Sequence, residues 1–143
     1  MGHLQKVRKT DLARNTRRVI RTVQRGQTVL VESHGQAEVA IMDILDYRIL
    51  RAFLVYHTRK PKVEPKGVDD KRLMRLEDPQ QVFDLVLAHY LAGAISLGRA
   101  AELLDLPALD LQTRFQRLDV PIHLGALDKQ EAVEEVKAAR SLE

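Results

Sequence analysis

Residues 7–50 read VRKTDLARNTRRVIRTVQRGQTVLVESHGQAEVAIMDILDYRIL, and this stretch decides the fold. Its periodicity changes along the way. Leu12, Thr16, Val19, Ile20 and Val23 recur at helical spacing, which predicts a helix capped by Thr10 or Asp11 and running to Arg25. Gly26 stands just past the last turn, where a left-handed residue commonly ends a helix. Thr28–Ser33 and Ala37–Met42 are rich in Val, Leu and Ile and read as strands, with His34-Gly35 turning between them as a hairpin. Asp43 then caps a second helix from Ile44 to about His57, with Asp46 at capping-box spacing. Upstream, Leu4–Arg8 reads as a short strand.

The second helix is apolar over too wide an arc for a one-sided surface helix: Ile44, Leu45, Tyr47, Ile49, Leu50, Phe53, Leu54 and Val55 all lie on it. A homodimer partner is the economical cover; the alternative is packing on the rest of the same chain. Candidate packing and dimer residues are Leu12, Val19, Ile20, Val29, Val31, Val39, Ile41, Tyr47, Leu50, Phe53 and Leu54.

Beyond this module, residues 59–79 read as a linker, with Pro61, Pro65, Gly67 and Pro79 amid alternating charge and one short helical turn near Lys71–Leu76. A helical pattern resumes from Gln80 and stops near Gly93. Ser96 caps a short helix, and Asp105-Leu106-Pro107 turns into another from Ala108 to Leu118 striped by Leu109, Leu111, Phe115 and Leu118. Residues 96–119 thus form a helix-turn-helix-like unit. Val120–Leu124 reads as extended, and Asp128 with Glu131 caps a last helix through Ala139. The expected class is α+β: a β-α-β-β-α domain over 1–58, the linker, and a small helical domain over 80–143.

Composition excludes several functions. The 143 residues contain no Cys, so there is no disulfide scaffold, thiol nucleophile or thiolate metal site. Aromatics are 4% with no Trp, against a base-stacking platform for single strands. No apolar run is long enough to span a membrane, and Met1–Lys6 lacks an apolar signal core, so the expected compartment is the cytoplasm. His3, His34, His57, His89 and His123 show no metal-ligand spacing and read as surface, turn or half-buried histidines. No Gly-rich phosphate loop or nucleophile elbow occurs, so no enzyme, metal or cofactor is expected.

Charge is more informative by its distribution than by its total. The net charge is +3, yet residues 1–60 hold 12 bases against 5 acids and residues 61–143 hold 11 against 15. Arg14, Arg17, Arg18, Arg21 and Arg25 fall at i, i+3, i+4, i+7 and i+11 of the first predicted helix, opposite its apolar stripe, and Lys6, Arg8 and Lys9 precede it. Arginine makes paired contacts to phosphate and to guanine edges. Solvated faces usually mix signs and this one does not, so it points to duplex nucleic acid, with Asn15 and Gln24 as amide donors. The second half of the helix-turn-helix-like unit carries Asp110, Gln112, Thr113, Arg114, Gln116, Arg117 and Asp119, with little net charge. Protein contact fits it better than DNA contact.

Residues 4–57 resemble the prevent-host-death (Phd/YefM-type) antitoxin family, through Ala13-Arg14-Asn15, Gly26, His34-Gly35 and Asp46-Tyr47 in the order and spacing of that family. There are departures. Thr16 stands where an apolar residue is usual, Ala37 replaces a common Pro, and Val39-Ala40 inverts the usual order. Residues 90–122 are similar to a small family of uncharacterised prokaryotic proteins, themselves suspected antitoxins. The resemblance implies a dimer or higher even oligomer that binds double-stranded operator DNA, represses its own operon and neutralises a cognate toxin through its C-terminal half. The DNA contacts would be Lys6, Arg8, Lys9, Arg14, Asn15, Arg17, Arg18 and Arg21. The competing expectation is a protein-interaction module that binds no nucleic acid.

Overall fold

The computed structural model describes residues 4–122. It is a mixed α+β fold in the order β1 (Leu4–Arg8), α1 (Lys9–Leu12), α2 (Thr16–Gln24), β2 (Thr28–Ser33), β3 (Gln36–Ile41), α3 (Ile44–Arg59), α4 (Asp70–Met74), α5 (Pro79–Leu91), α6 (Leu97–Leu103) and α7 (Ala108–Arg117). The strands form one sheet in the order β1-β2-β3. β1 runs parallel to β2, with Gln5 opposite Val29, and the helical crossover α1–α2 makes that pairing possible. β3 returns antiparallel, with Val31 opposite Val39 and a register shift at Val31/Glu32. His34 (φ 54°) and Gly35 (φ 78°) are both left-handed, as a two-residue hairpin turn of this twist requires.

One helix from Thr10 or Asp11 to Arg25 does not form. The chain breaks after Leu12 because polar side chains bond back to the preceding turn. Asn15 donates Nδ2–H to the Asp11 carbonyl at 3.1 Å, and Thr16 donates its hydroxyl to the Leu12 carbonyl at 3.0 Å. Neither Thr10 nor Asp11 is the cap of α1; Arg8 holds that position without a side-chain cap. α2 presents Val19 and Val23 to Val29 of the sheet, with Val7, Leu12 and Ile41 at the margin.

A larger core gathers α3 to α7. Ile49 and Ala52 of α3 are fully buried with Val86, Leu87 and Tyr90 of α5, Ala100 and Ala101 of α6, and Leu111 and Phe115 of α7. Each large apolar side chain removed from water here contributes about 1.5–3 kcal/mol. Part of the broad arc of α3 is therefore covered by its own chain. The segment read as a linker is also packed down: Val68 and Leu73 join this core. His89 pins the same segment. Its Nε2 accepts the Glu64 backbone N–H at 2.9 Å, which leaves Nδ1 as the nitrogen that donates to the Leu85 carbonyl at 2.8 Å. Leu109, placed by sequence in the stripe of α7, is instead 74% exposed, because Leu111 and Phe115 already fill the face toward α5 and α6. The extended reading beyond Ile122 and the last predicted helix lie outside the described residues.

Candidate nucleic-acid interface

The arginine side chains arrive at one surface although they come from three kinds of local structure. Arg17, Arg18 and Arg21 lie on α2, Arg14 lies in the break before it, and Arg25 is its C-cap. All five line one open groove of about 610 Å³ beside the start of β1. The break after α1 thus replaces the continuous helical face that the spacing predicts, yet keeps Arg14 with the others. Among the described residues, none of these five arginines has an acid within ion-pair distance.

Gln5 of β1, Thr22 of α2 and Gln27 before β2 line the same groove. Sequence reasoning missed Gln5 and Gln27, because they reach the groove from outside the helix whose spacing carried the reading. Gln24 does not line it. Asn15 lines it, but its amide is turned back to Asp11, so its first role is to close the turn between α1 and α2.

The other bases singled out by sequence have local acid partners. Lys6 pairs with Glu32 at 3.6 Å, Arg8 with Asp11 at 3.5 Å, and Lys9 with Glu38 at 3.7 Å. Exposed pairs of this kind contribute little to stability, but each acid offsets part of the local positive field. Of the basic residues singled out by sequence for this surface, those left without an acidic partner are the arginines around α2.

The two arginines of α7 are turned inward. Arg114 Nη1 donates to Asp43 and Asp46, at 2.7 Å each, and Arg114 Nε to Asp110 at 3.2 Å. Arg117 donates to both carboxylate oxygens of Asp46, the shorter contact being 2.8 Å. Asp46 is buried, so its charge is compensated by two guanidinium groups rather than by water. Burial works against the charge on Arg114, but the hydrogen bonds to Asp46 and Asp110 and the charges of Asp43 and Asp46 outweigh it, and its pKa is raised. Asp43 meanwhile caps α3, accepting from Leu45 N–H at 2.9 Å. Asp46 does not complete a capping box; the arginines occupy its oxygens. The exposed arginines read on this helix are therefore internal, and the helix-turn-helix-like unit offers no arginine from α7 to a polyanion.

The sequence-derived packing residues divide into three sets. Val19, Val29 and Val31 are buried. Leu12, Ile41, Leu50 and Phe53 are half-buried. Ile20, Val39, Tyr47 and Leu54 stay exposed, joined by Ile44. Ile44, Tyr47 and Leu54 stand at i, i+3 and i+10 of α3, on the flank that α5 does not cover.

Among the described residues no group of three or more metal-ligating side chains gathers, and no helix is long and apolar enough to cross a membrane. Comparison of the chain with protein families, with curated proteins and with solved structures finds no match.

Proposed function

We propose that this chain is an antitoxin-type DNA-binding protein, a homodimer that represses its own operon through the arginine groove of α2 and neutralises a toxin protein through its C-terminal half. The observation that carries the DNA-binding part is the gathering of Arg14, Arg17, Arg18, Arg21 and Arg25 on one surface without an acidic partner. Holding like charges together is unfavourable unless a polyanion or solvent ions neutralise them, and a duplex phosphate backbone supplies such charge. No side chain caps α2, so its first-turn N–H groups add to the same attraction for a phosphate oxygen. Two such helices about a two-fold axis would read a palindromic site. The exposed Tyr47 and Leu54 of α3 support a dimer. The order β1-α1-α2-β2-β3-α3, the Gly26 stop and the His34-Gly35 turn support the Phd/YefM-like reading of the first module, and the acid excess of residues 61–143 supports a protein rather than a nucleic acid as partner of the second.

The test is an electrophoretic shift with the duplex upstream of the chain's own reading frame, across a salt series. Log affinity should fall with log salt by about 0.9 per phosphate neutralised. Arg14→Ala, Arg17→Ala and Arg18→Ala together should abolish retention with an unchanged circular dichroism spectrum. Unaltered retention by that triple variant would remove the arginine groove as the interface, whereas no salt-sensitive shift by the parent chain would leave the second reading, a protein-interaction module that binds no nucleic acid, which the exposed apolar residues of α3 favour.

A further inference from the structure

The C-terminal half carries an apolar surface that none of the contacts above use. Two shallow hollows meet at Leu76. The first is lined by Pro61, Leu76, Gln81 and Leu85, the second by Leu76, Pro79, Val82, Phe83, Leu103 and Leu104. Gln81, Val82 and Leu85 are spaced i, i+1 and i+4 along α5, so the exposed flank of one helix joins the two hollows. Leu76, Val82, Leu85, Leu103 and Leu104 are only half-buried, although they pack on the main core. An apolar surface of this form, left half wet, gains free energy when a partner side chain displaces its water.

Charge gives the surface a direction. The second hollow is rimmed by Glu77 and Asp105, with no base lining it. Neither carboxylate has an ion-pair or hydrogen-bond partner among the described residues. At the first hollow the rim is balanced: Arg72 opposes Asp84, Arg72 is paired with Glu64 at 3.7 Å, and Asp84 accepts from Gln80. We propose that this surface docks a segment of a partner protein with two large apolar side chains, one for each hollow, followed by a Lys or Arg that meets Glu77 and Asp105. An acidic segment would be repelled at that end, and a nucleic acid would meet both an apolar floor and like charge. This places the protein partner of the proposed function on α4, α5 and α6, and it stands whether or not α2 binds DNA.

The test uses the full chain in its own cells, with the photo-reactive residue benzoylphenylalanine at exposed Gln81. The cross-linked partner peptide should carry a Lys or Arg within about four residues of a large apolar side chain. Glu77→Gln with Asp105→Asn removes both charges without changing shape, and Asn tolerates the left-handed backbone of residue 105 (φ 56°). That double variant should bind the cross-linked partner about tenfold more weakly, with most of the salt dependence lost, while duplex retention is unchanged. A cross-link to an acidic segment, no cross-link at all, or a double variant that binds as tightly as the parent would each overturn the proposal. Loss of duplex retention in the parent chain would instead count against the DNA reading alone.

Discussion

At Gly26 the backbone lies at φ 96°, and a Cβ there would sit 2.5 Å from Nη1 of Arg117. The position therefore disfavours a side chain through its own conformation, and to admit one the Arg117 guanidinium would have to shift from its hold on Asp46. An alanine at a left-handed position costs about 1–2 kcal/mol from its backbone alone, and the clash adds to it. Gly26→Ala should cost about 2 kcal/mol or more in urea unfolding, but only the backbone share once Arg117→Ala has removed the obstructing guanidinium. Equal costs in the two backgrounds would show that the Arg117 guanidinium opposes no side chain at residue 26. The same arginine holds Asp46, whose burial leaves no water to replace it. Asp46→Asn keeps the shape but removes the charge between Arg114 and Arg117, and should destabilise by about 3 kcal/mol, since an uncompensated buried charge costs far more than an exposed one. A loss under about 1 kcal/mol would place Asp46 in solvent.

Among elements, α2 separates two jobs by face. Val19 and Val23 hold it to the sheet, and the arginines around it face solvent. Substituting the arginines should leave stability nearly unchanged while removing binding, because exposed side chains without partners contribute little to folding. The paired bases make the sharper comparison. Arg17→Ala with Arg18→Ala should weaken duplex binding more than Lys6→Ala with Lys9→Ala at the same salt, because Glu32 and Glu38 already offset the lysines. A larger loss from the lysine pair in the same gel-shift series would move the interface from α2 to β1 and the start of α1. α3 likewise has two faces. Ile49 and Ala52 are spent on α5, while Tyr47 and Leu54 remain outside.

For the whole molecule, that remaining flank of α3 sets the expectation for assembly. Tyr47→Glu with Leu54→Glu puts two like charges on a surface that a second copy would bury, so sedimentation should show a dimer for the parent chain and a monomer for the variant. An unchanged sedimentation coefficient would place any self-association elsewhere. Duplex affinity should fall with it, since two linked arginine grooves bind a two-fold site far better than one. The local grammar was legible along the chain because it depends on neighbours: the stop at Gly26, the hairpin at His34-Gly35 and the cap at Asp43 in the first module, and the cap at Ser96 in the second, are each decided by residues a few positions apart. The arginine cluster was legible for the same reason, though its members were assigned to one helix that in fact breaks between Leu12 and Thr16. What lay 68–71 residues apart was not legible. The sequence treats Asp46 as a capping residue and Arg114 and Arg117 as exposed, and only the packing of α7 against the start of α3 turns them into one buried ion cluster. Spacing, propensity and net charge are local quantities and are fixed by sequence. Which charges are neutralised inside and which are left for a partner depends on contacts between distant segments, and that was decided by the tertiary structure.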